Sequence, residues 1–217
     1  MDIDRKFVIN LEKRKDRKKN IIEELERVKI KDYEIFKGIE TTDVEKWNKD
    51  FIKDLPLHVT MHNIDGNKYR MGSLGCLMSH YEIIKKCYND NCNNILIMED
   101  DCIFLFDGTL DNQLKKIKDV NDFGIIYLTA TYKKETVKQY NSNLLKVEDA
   151  LQTSSYIISR KGMKFVMDNI FGFYREVDIF YGCILQKYMD CYCIYPHIAN
   201  QKEDFSNILN TEVNYNK

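Results

Sequence analysis

The sequence predicts an α/β fold built on a largely parallel central sheet, and three observations support this prediction. Strand-like and helix-like hydrophobic patterns alternate along the 217 residues. Residues 95–98 read Ile-Leu-Ile-Met, a continuous apolar run typical of a strand buried on both faces. Residues 14–28 carry apolar side chains at helical spacing within a charged segment, as in a helix packed on a sheet. The length fits one domain spanning 1–217.

The first half of the chain divides into strands and helices as follows. Residues 6–11 predict a first strand, 14–28 the amphipathic helix and 32–37 a second strand, in which polar and apolar residues alternate. Residues 39–70 have weak periodicity and are expected to form a loop excursion that is a candidate lid over a ligand. Gly72 and Gly75 are expected to precede the next helix, where exposed amide groups would suit a phosphate.

The second half of the chain continues the alternation of strands and helices. After the apolar strand, a short polar helix is predicted at 111–118, a buried strand at 123–128 and a polar loop with a possible hairpin at 129–149. A strand follows at 154–159, helices begin near 160 and 178, and a last strand is predicted at 191–195. Residues 197–217 are expected to form a loop and a tail, loosely held from about 202 to 217.

Composition narrows the range of partners. The chain has 33 basic and 34 acidic residues, so its net charge of −1 exerts no overall attraction on nucleic acid or anionic membranes. No apolar run approaches the roughly 18 residues that a membrane span needs, and the first residues lack an apolar leader. The seven cysteines match no zinc spacing. We therefore expect a cytoplasmic location with reduced thiols. The sequence gives no indication of the oligomeric state.

The main chemical feature is a triplet of acidic residues, Glu99, Asp100 and Asp101, which follows the apolar strand directly. Open α/β sheets bind ligands at the carboxyl ends of their strands. Crowded carboxylates repel one another unless a cation lies among them, and oxygen ligands suit Mg²⁺ or Mn²⁺. The triplet therefore predicts either a metal site or a solvated acidic turn, and its spacing alone does not decide between them.

For two arginines and one histidine, the sequence likewise allows either a functional or a purely structural role. Arg14 and Arg17 lie at the start of the first helix, where a cation opposes the helix dipole. They are either solvated or placed there to bind an anionic ligand. Ser79 and His80 lie within the helix after the two glycines, and a histidine in such a position is more often a structural hydrogen-bonding group than a reactive one.

Six motifs, in order, resemble glycosyltransferase family 25. This family includes bacterial lipooligosaccharide galactosyltransferases, collagen hydroxylysine galactosyltransferases and viral relatives. The matching stretches are 8–17 ("INL-x-x-R-x-x-R"), 72–80 ("GEIGC-x-x-SH"), 97–101 ("LEDD"), 154–162 ("T-x-A-Y-x-I-S-x-x-G"), 176–178 ("pvD") and 196–208 ("P-x-x-x-Q…S-x-I"). Two departures stand out: Ser73 replaces a common glutamate, and Gln152-Thr153 replaces a Gly-Thr pair.

The resemblance implies a GT-A fold, which is a Rossmann-like nucleotide-sugar-binding fold, and a UDP-sugar donor with Mn²⁺ or Mg²⁺. It implies that Glu99 and Asp101 bind the metal from the same side of the extended chain, while Asp100 points elsewhere or touches the ribose. His197 either completes the metal shell or is an ordinary surface histidine. The residues implied to bind the nucleotide sugar are Asn10, Leu11, Arg14, Arg17, Ser79 and Asp100.

The resemblance also implies an inverting mechanism, which needs one general base. Asp178 is the candidate, and its alternative role is to cap the helix that it begins. The expected reaction moves galactose or glucose from a UDP-sugar to a glycan or a collagen-like hydroxylysine. The alternative is a catalytically inactive domain that binds sugar nucleotide or a protein partner. A nucleotidyl-transferring enzyme fits less well, because no glycine-rich phosphate loop follows the first strand.

Overall fold

An eight-stranded sheet runs through the middle of the protein. The computed structural model describes residues 1–40, 68–171, 173, 176–202, 204–206 and 211–213. The strands of this sheet are β1 (Arg5–Asn10), β2 (Tyr33–Lys37), β3 (Asn94–Glu99), β5 (Ile125–Tyr127), β6 (Val137–Asn141), β7 (Leu144–Val147), β8 (Ser155–Ser159) and β9 (Tyr192–Ile194). Two short antiparallel pairs accompany it: β4 (Cys102–Phe104) with β10 (Ala199–Gln201), and β11 (Asp204–Ser206) with β12 (Thr211–Val213).

Helices cover both faces of the sheet. They are α1 (Lys15–Arg27), α2 (Lys68–Asn89), α3 (Leu110–Leu114) with a 3-10 turn at Lys115–Ile117, α4 (Arg160–Asn169) and α5 (Val177–Phe180). Helix α5 continues through a π-helical turn at Tyr181–Leu185 into α6 (Gln186–Tyr188), and a separate 3-10 turn spans Lys134–Thr136. None of the described helices is both long and apolar enough to cross a membrane.

The sheet is mixed, so the prediction of a mostly parallel sheet is wrong. Its strand order is β2-β1-β3-β8-β5-β9-β7-β6. The pairs β1–β2, β1–β3 and β5–β9 are parallel, whereas β8 runs antiparallel to both of its neighbours and the β6–β7 hairpin adds two more antiparallel pairs. All five residues of β8 are buried. Burial on both faces is compatible with either strand direction, so the hydrophobic pattern of β8 does not indicate its direction.

Two further predictions about element boundaries are also wrong. Helix α2 begins at Lys68, so Gly72 and Gly75 lie inside it and do not form a loop before its N-terminus. Strand β9 is followed by β10, whose residues were expected to lie in a loop. The expected lid at 39–70 lies mostly outside the described residues, as does most of the expected tail at 202–217.

Each face of the sheet packs against its own set of helices, because successive strand residues point to opposite sides. On one face, Phe7 and Ile97 belong to a core that includes apolar residues of α2, α4 and α5. On the other, Val8 and Leu96 belong to a core shared with α1 and α3. The result is three layers, with the sheet between two layers of helices.

The directions of the strands make one edge of the sheet a candidate binding edge. Strands β1, β2, β3, β5 and β9 run the same way, so their carboxyl ends share one edge, and the antiparallel β8 begins there. Asn10 ends β1, Glu99 ends β3 and Thr153 lies just before β8. The sheet topology therefore brings together residues that are distant in sequence.

Candidate active site

Three carboxylates lie at the carboxyl end of β3, and we call Glu99, Asp100 and Asp101 the acidic cluster. Strand β3 is held on one side by β1, with Ile9 opposite Glu99, and on the other by β8. The strand ends at Glu99, and the next two residues form a turn. The backbone is therefore no longer extended at Asp100, and this decides where the three carboxylates point.

Arg17 lies between two members of the acidic cluster. Its Nη1 is 3.1 Å from Asp100 Oδ1 and 3.0 Å from Asp101 Oδ2, and its side chain is only 9% exposed. The resemblance implies that Asp100 points elsewhere than Glu99 and Asp101 or touches the ribose. In the structure the turn after Glu99 brings Asp100 and Asp101 to one guanidinium group, and a contact between Asp100 and the ribose stays a prediction. The sequence left open whether Arg17 is solvated or binds an anionic ligand. In the structure its anionic partners include these two carboxylates.

Asn10 also binds the carboxylate of Asp100. Its Nδ2 donates to Asp100 Oδ2 at 2.7 Å and to the carbonyl oxygen of Arg14 at 3.1 Å. Both carboxylate oxygens of Asp100 thus accept hydrogen bonds within the protein. Burial raises the pKa of Asp100, and the charge of Arg17 opposes that rise. Asp100 consequently acts in this structure as an anchor between β1, α1 and the acidic cluster.

Asp101 is the member of the cluster best suited to a cation. Its Oδ2 accepts from Arg17 and, at 3.1 Å, from Gln201 Nε2. Its Oδ1 is buried and accepts no hydrogen bond from any described residue, which is unusual for a buried carboxylate oxygen. Burial and the negative charge of Glu99 raise the pKa of Asp101 to about 7, against the opposing charge of Arg17. A divalent cation at Oδ1 would satisfy this oxygen and offset the crowding of negative charge.

Glu99 is held by groups on the other side of the cluster. Thr153 Oγ1 donates to Glu99 Oε1 at 2.7 Å, and His80 Nε2 lies 3.4 Å from the same oxygen. Burial works to raise the pKa of Glu99, but these contacts hold it below its ordinary value. Both contacts use Oε1, and no hydrogen bond to Oε2 is found among the described residues, so Oε2 is available to a ligand.

His80 was expected to be structural, and the structure shows both a structural and a site contact. It is fully buried, its Nδ1 lies 2.8 Å from the Tyr156 hydroxyl, and that hydroxyl lies 2.9 Å from the Tyr181 hydroxyl. A buried chain of polar groups thus runs from the core to Glu99. The sequence signal was present, since His80 belongs to the "SH" motif, but helical position alone gave no reason to place it beside a carboxylate.

A second set of metal-capable donors overlaps this site. Among the residues that the structure describes, donor atoms of Cys76, His80 and Glu99 lie within 4.8 Å of one another. Burial, followed by the charges of the acidic residues, raises the pKa of the Cys76 thiol well above its usual value, so it stays protonated. A thiol is also a poor ligand for Mn²⁺ or Mg²⁺. The oxygen donors of Glu99 and Asp101 fit those ions better than this set does.

His197 and Asp178 form no hydrogen bond with the acidic cluster in the described part of the chain. His197 Nδ1 is 3.4 Å from Thr129 Oγ1, its Nε2 is buried without a hydrogen-bond partner in the described part of the chain, and burial lowers its pKa. Asp178 accepts from the backbone N–H of Gln152 at 3.3 Å and of Ile179 at 2.8 Å. Burial raises the pKa of Asp178. The cap position of α5 belongs to Glu176, and Asp178 bonds a backbone amide in the first turn.

The remaining predicted ligand-binding residues lie around the first strand and α2. Ser79 Oγ accepts from the N–H of Ile39 and donates to the carbonyl of Gly75, so it joins the end of β2 to α2. The carbonyl of Leu11 accepts from the N–H of Arg14, and Arg14 forms an ion pair with Asp16 at 2.9 Å. That pair lowers the pKa of Asp16 to about 2. These residues surround the same sheet edge, but Ser79 is occupied by protein partners.

The sequence from residue 3 to residue 181 matches the protein family described as "Glycosyltransferase family 25 (LPS biosynthesis protein)". The chain belongs to glycosyltransferase family 25. Human procollagen galactosyltransferase 2 is 28% identical over 203 residues, which cover 87% of this chain and 31% of that protein. The procollagen lysyl hydroxylase and glycosyltransferase of Acanthamoeba polyphaga mimivirus is 23% identical over 224 residues, covering 91% of this chain and 25% of that protein.

A bacterial family 25 relative matches a shorter region. The lipooligosaccharide biosynthesis protein lex-1 of Haemophilus influenzae is 30% identical over 121 residues, covering 50% of this chain and 40% of that protein. The matched regions thus span between 25% and 40% of the lengths of these three relatives.

Sequence reasoning missed the contacts of two glutamines in this family 25 site. Gln152, noted only as a departure from a Gly-Thr pair, has a φ of +87°, a conformation that favours glycine. Its Nε2 is 3.4 Å from Gln201 Oε1, and Gln201 in turn bonds Asp101. Ser73, the other departure, has a buried hydroxyl without a hydrogen-bond partner in the described residues.

Proposed function

We propose that this chain is a metal-dependent, inverting glycosyltransferase. It moves a hexose, galactose or glucose, from a UDP-sugar to a hydroxyl group of a glycan or of hydroxylysine in a collagen-like protein. Membership of family 25 supports the reaction class. The names of the human and Haemophilus influenzae relatives, a procollagen galactosyltransferase and a lipooligosaccharide biosynthesis protein, support the two acceptor classes.

One observation carries the proposal: the acidic cluster lies at the carboxyl edge of the sheet and contains a buried carboxylate oxygen of Asp101 without a hydrogen bond from the described residues. Open α/β sheets bind nucleotides at this edge. The parallel β2-β1-β3 half of the sheet leads into the site. On these grounds we infer a GT-A fold, in which a Rossmann-like half binds the nucleotide sugar.

Glu99 and Asp101 are proposed to hold Mn²⁺ or Mg²⁺. Both offer an oxygen that accepts no bond from the described residues, and hard oxygen ligands suit these ions. His197 is proposed as a further ligand because its Nε2 is buried and lacks a partner in the described residues. When bound, the cation supplies Lewis-acid stabilisation of the diphosphate leaving group. Arg17 keeps the two aspartates in place and offsets part of their charge.

The donor is proposed to lie along the end of β1 and the start of α1. The guanidinium groups of Arg14 and Arg17 and the backbone near Leu11 offer donors and positive charge for a diphosphate. Asn10 and Asp100 are bonded to each other and fix the end of β1 relative to the start of α1. Ser79 is proposed to shape the nucleotide pocket by holding Ile39, since both of its hydrogen-bonding functions are used within the protein.

Asp178 is proposed as the general base that accepts the proton of the acceptor hydroxyl as that oxygen attacks the anomeric carbon. Its raised pKa suits proton acceptance better than that of an exposed aspartate does. Asp178→Asn should keep donor binding, because the amide oxygen can still accept from Gln152 or Ile179, and should lose transfer. A variant that retains a near-wild-type transfer rate would reduce Asp178 to a structural role.

UDP release from a panel of UDP-sugars, measured with and without Mn²⁺ and with glycan and hydroxylysine acceptors, tests the function. We expect Mn²⁺-stimulated release with UDP-galactose or UDP-glucose that increases when an acceptor is present. Absence of turnover and of donor hydrolysis for every UDP-sugar would overturn the enzyme assignment. If UDP-sugars then still bound with Mn²⁺, the inactive nucleotide-sugar-binding domain would be the correct alternative.

A further inference from the structure

The short segment 151–154 contacts the acidic cluster from the side of β8. The backbone of Leu151 is anchored by two hydrogen bonds to Thr131, at 2.9 and 3.1 Å. At the other end, Thr153 bonds Glu99 through its side chain, and the carbonyl of Ser154 accepts from the N–H of Glu99 at 2.8 Å. Between these fixed points lies Gln152.

Gln152 reaches in two directions at once. Its backbone N–H donates to Asp178 Oδ2 at 3.3 Å. Its side-chain Nε2 lies 3.4 Å from Gln201 Oε1 and 3.3 Å from Ser154 Oγ. Gln201 Nε2 then donates to Asp101 Oδ2 at 3.1 Å. Gln152 and Gln201 together thus connect the start of α5 with the carboxylate proposed to bind the cation.

Gln201 belongs to the same small unit as Asp101. Strand β10 pairs with β4, and Gln201 lies opposite Cys102, the residue directly after Asp101. The backbone N–H of Lys202 also donates to the carbonyl of Asp101 at 2.7 Å. The Gln152–Gln201 contact therefore joins this unit to the one that carries Asp178, at the start of α5.

The backbone of Gln152 gives no structural reason for a glutamine. Its φ of +87° is strained for any residue with a Cβ and suits glycine. Its side-chain contacts of 3.3–3.4 Å are at the long end of hydrogen bonding, so they add little to stability. Hydrogen bonds of this kind in a ligand-free site often shorten when substrate is bound.

We propose that Gln152 is a positioning residue that fixes Asp178 relative to Asp101 through Gln201. This inference rests on the proposed function, in which Asp178 is the general base and Asp101 is a ligand of the cation. A base held at the wrong distance from the acceptor hydroxyl loses transfer while donor and cation still bind. Misplacement by about 1 Å can cost on the order of 100-fold in rate.

Two variants of Gln152 separate positioning from folding. Gln152→Gly removes the side chain and the backbone strain, while Gln152→Met keeps the size and the strain but removes the side-chain hydrogen bonds. Both variants keep the backbone N–H that donates to Asp178. Lys29→Gly is the matched control, because exposed Lys29 also has a positive φ, +58°, and follows the C-terminal end of α1, whereas Arg14 and Arg17 lie at the start of that helix. We expect both glycine variants to keep or raise the melting temperature.

The kinetic expectation is specific to the turnover step. Both Gln152 variants should lower the kcat for transfer by about tenfold, leaving the KM for the UDP-sugar and the calorimetric Kd for Mn²⁺ with UDP within about twofold. Gln201→Met should give a similar loss of kcat. Because the two glutamines act through one contact, the Gln152→Met/Gln201→Met pair should lose little more than either single variant.

Each outcome decides the proposal. Wild-type kcat in both Gln152 variants, or losses that multiply in the double variant, would overturn the positioning role while leaving the proposed function intact. A change of more than tenfold in the Kd for Mn²⁺ with UDP would also overturn it, because Gln152 would then be a binding residue. Absence of turnover in the wild-type chain with every donor would overturn the proposed function and this inference together.

Discussion

Replacing Asp101 with asparagine probes the most unusual electrostatic feature of the site. Asp101 is almost completely buried, with its side chain 8% exposed. Its Oδ2 accepts from Arg17 and Gln201, and its Oδ1 accepts no bond from the described residues. Asparagine has the same shape, and its carbonyl oxygen can take the place of Oδ2. The substitution therefore removes a titrating group with little change in packing.

The pH dependence of stability follows from the raised pKa. Burial, then the charge of Glu99, raises the pKa of Asp101 from 3.8 to about 7. Between these values the folded protein keeps a proton that the unfolded chain has released, so this group lowers the free energy of unfolding as pH rises. An interval of about three pKa units corresponds to about 4 kcal/mol. The asparagine side chain of the Asp101→Asn variant does not titrate, so the variant carries no such penalty.

Urea denaturation of metal-free protein at pH 4.5, 6, 7 and 8 measures this effect. The unfolding free energy of Asp101→Asn relative to wild type should rise with pH and approach about 4 kcal/mol at pH 8. Exposed Asp122→Asn is the control, with a change of about 0.5 kcal/mol or less at every pH. A difference that stays constant with pH, or that favours the wild type as pH rises, would refute the reasoning.

Two further substitutions test the contacts around the cluster. Arg17→Ala leaves two buried carboxylates without their guanidinium group. Urea denaturation at pH 8 should therefore show that the free energy of unfolding falls by about 3 kcal/mol. An unchanged midpoint would mean that solvent already screens the charges of Arg17, Asp100 and Asp101. His80→Phe keeps an aromatic ring beside Tyr156 but removes the ring nitrogens that contact Tyr156 and Glu99. It should lower the free energy of unfolding by about 1 kcal/mol, and a stabilised variant would contradict the buried polar chain.

The pattern of hydrophobic residues predicted which segments form strands and helices, but not how they pair. Strand β3 and helix α1 were found close to their predicted positions, because each has a strong hydrophobic pattern. The direction of β8 could not be predicted, since a strand buried on both faces shows the same burial pattern in either orientation. The start of α2 was missed because Gly72 and Gly75 read as a loop before a helix, whereas they lie inside it.

The site could be predicted as a set of residues but not as a set of contacts. The sequence placed the acidic triplet at a strand end, and that position is confirmed. It could not predict that Asp100 and Asp101 share Arg17, because this depends on a turn that begins at the strand end. The link from Gln152 to Gln201 was beyond sequence reasoning, since it joins residues 49 positions apart through side chains.

Binding of UDP measured by calorimetry, with and without Mn²⁺, tests the central claim most directly, because it needs neither the right sugar nor the right acceptor. The wild-type chain is expected to bind UDP with an affinity that depends on Mn²⁺, and Asp101→Ala is expected to abolish that metal-dependent binding. Asp122→Ala, on the exposed surface, should bind as the wild type does. Undiminished Mn²⁺-stimulated binding in Asp101→Ala would remove Asp101 from the metal site and contradict the assignment of the acidic cluster.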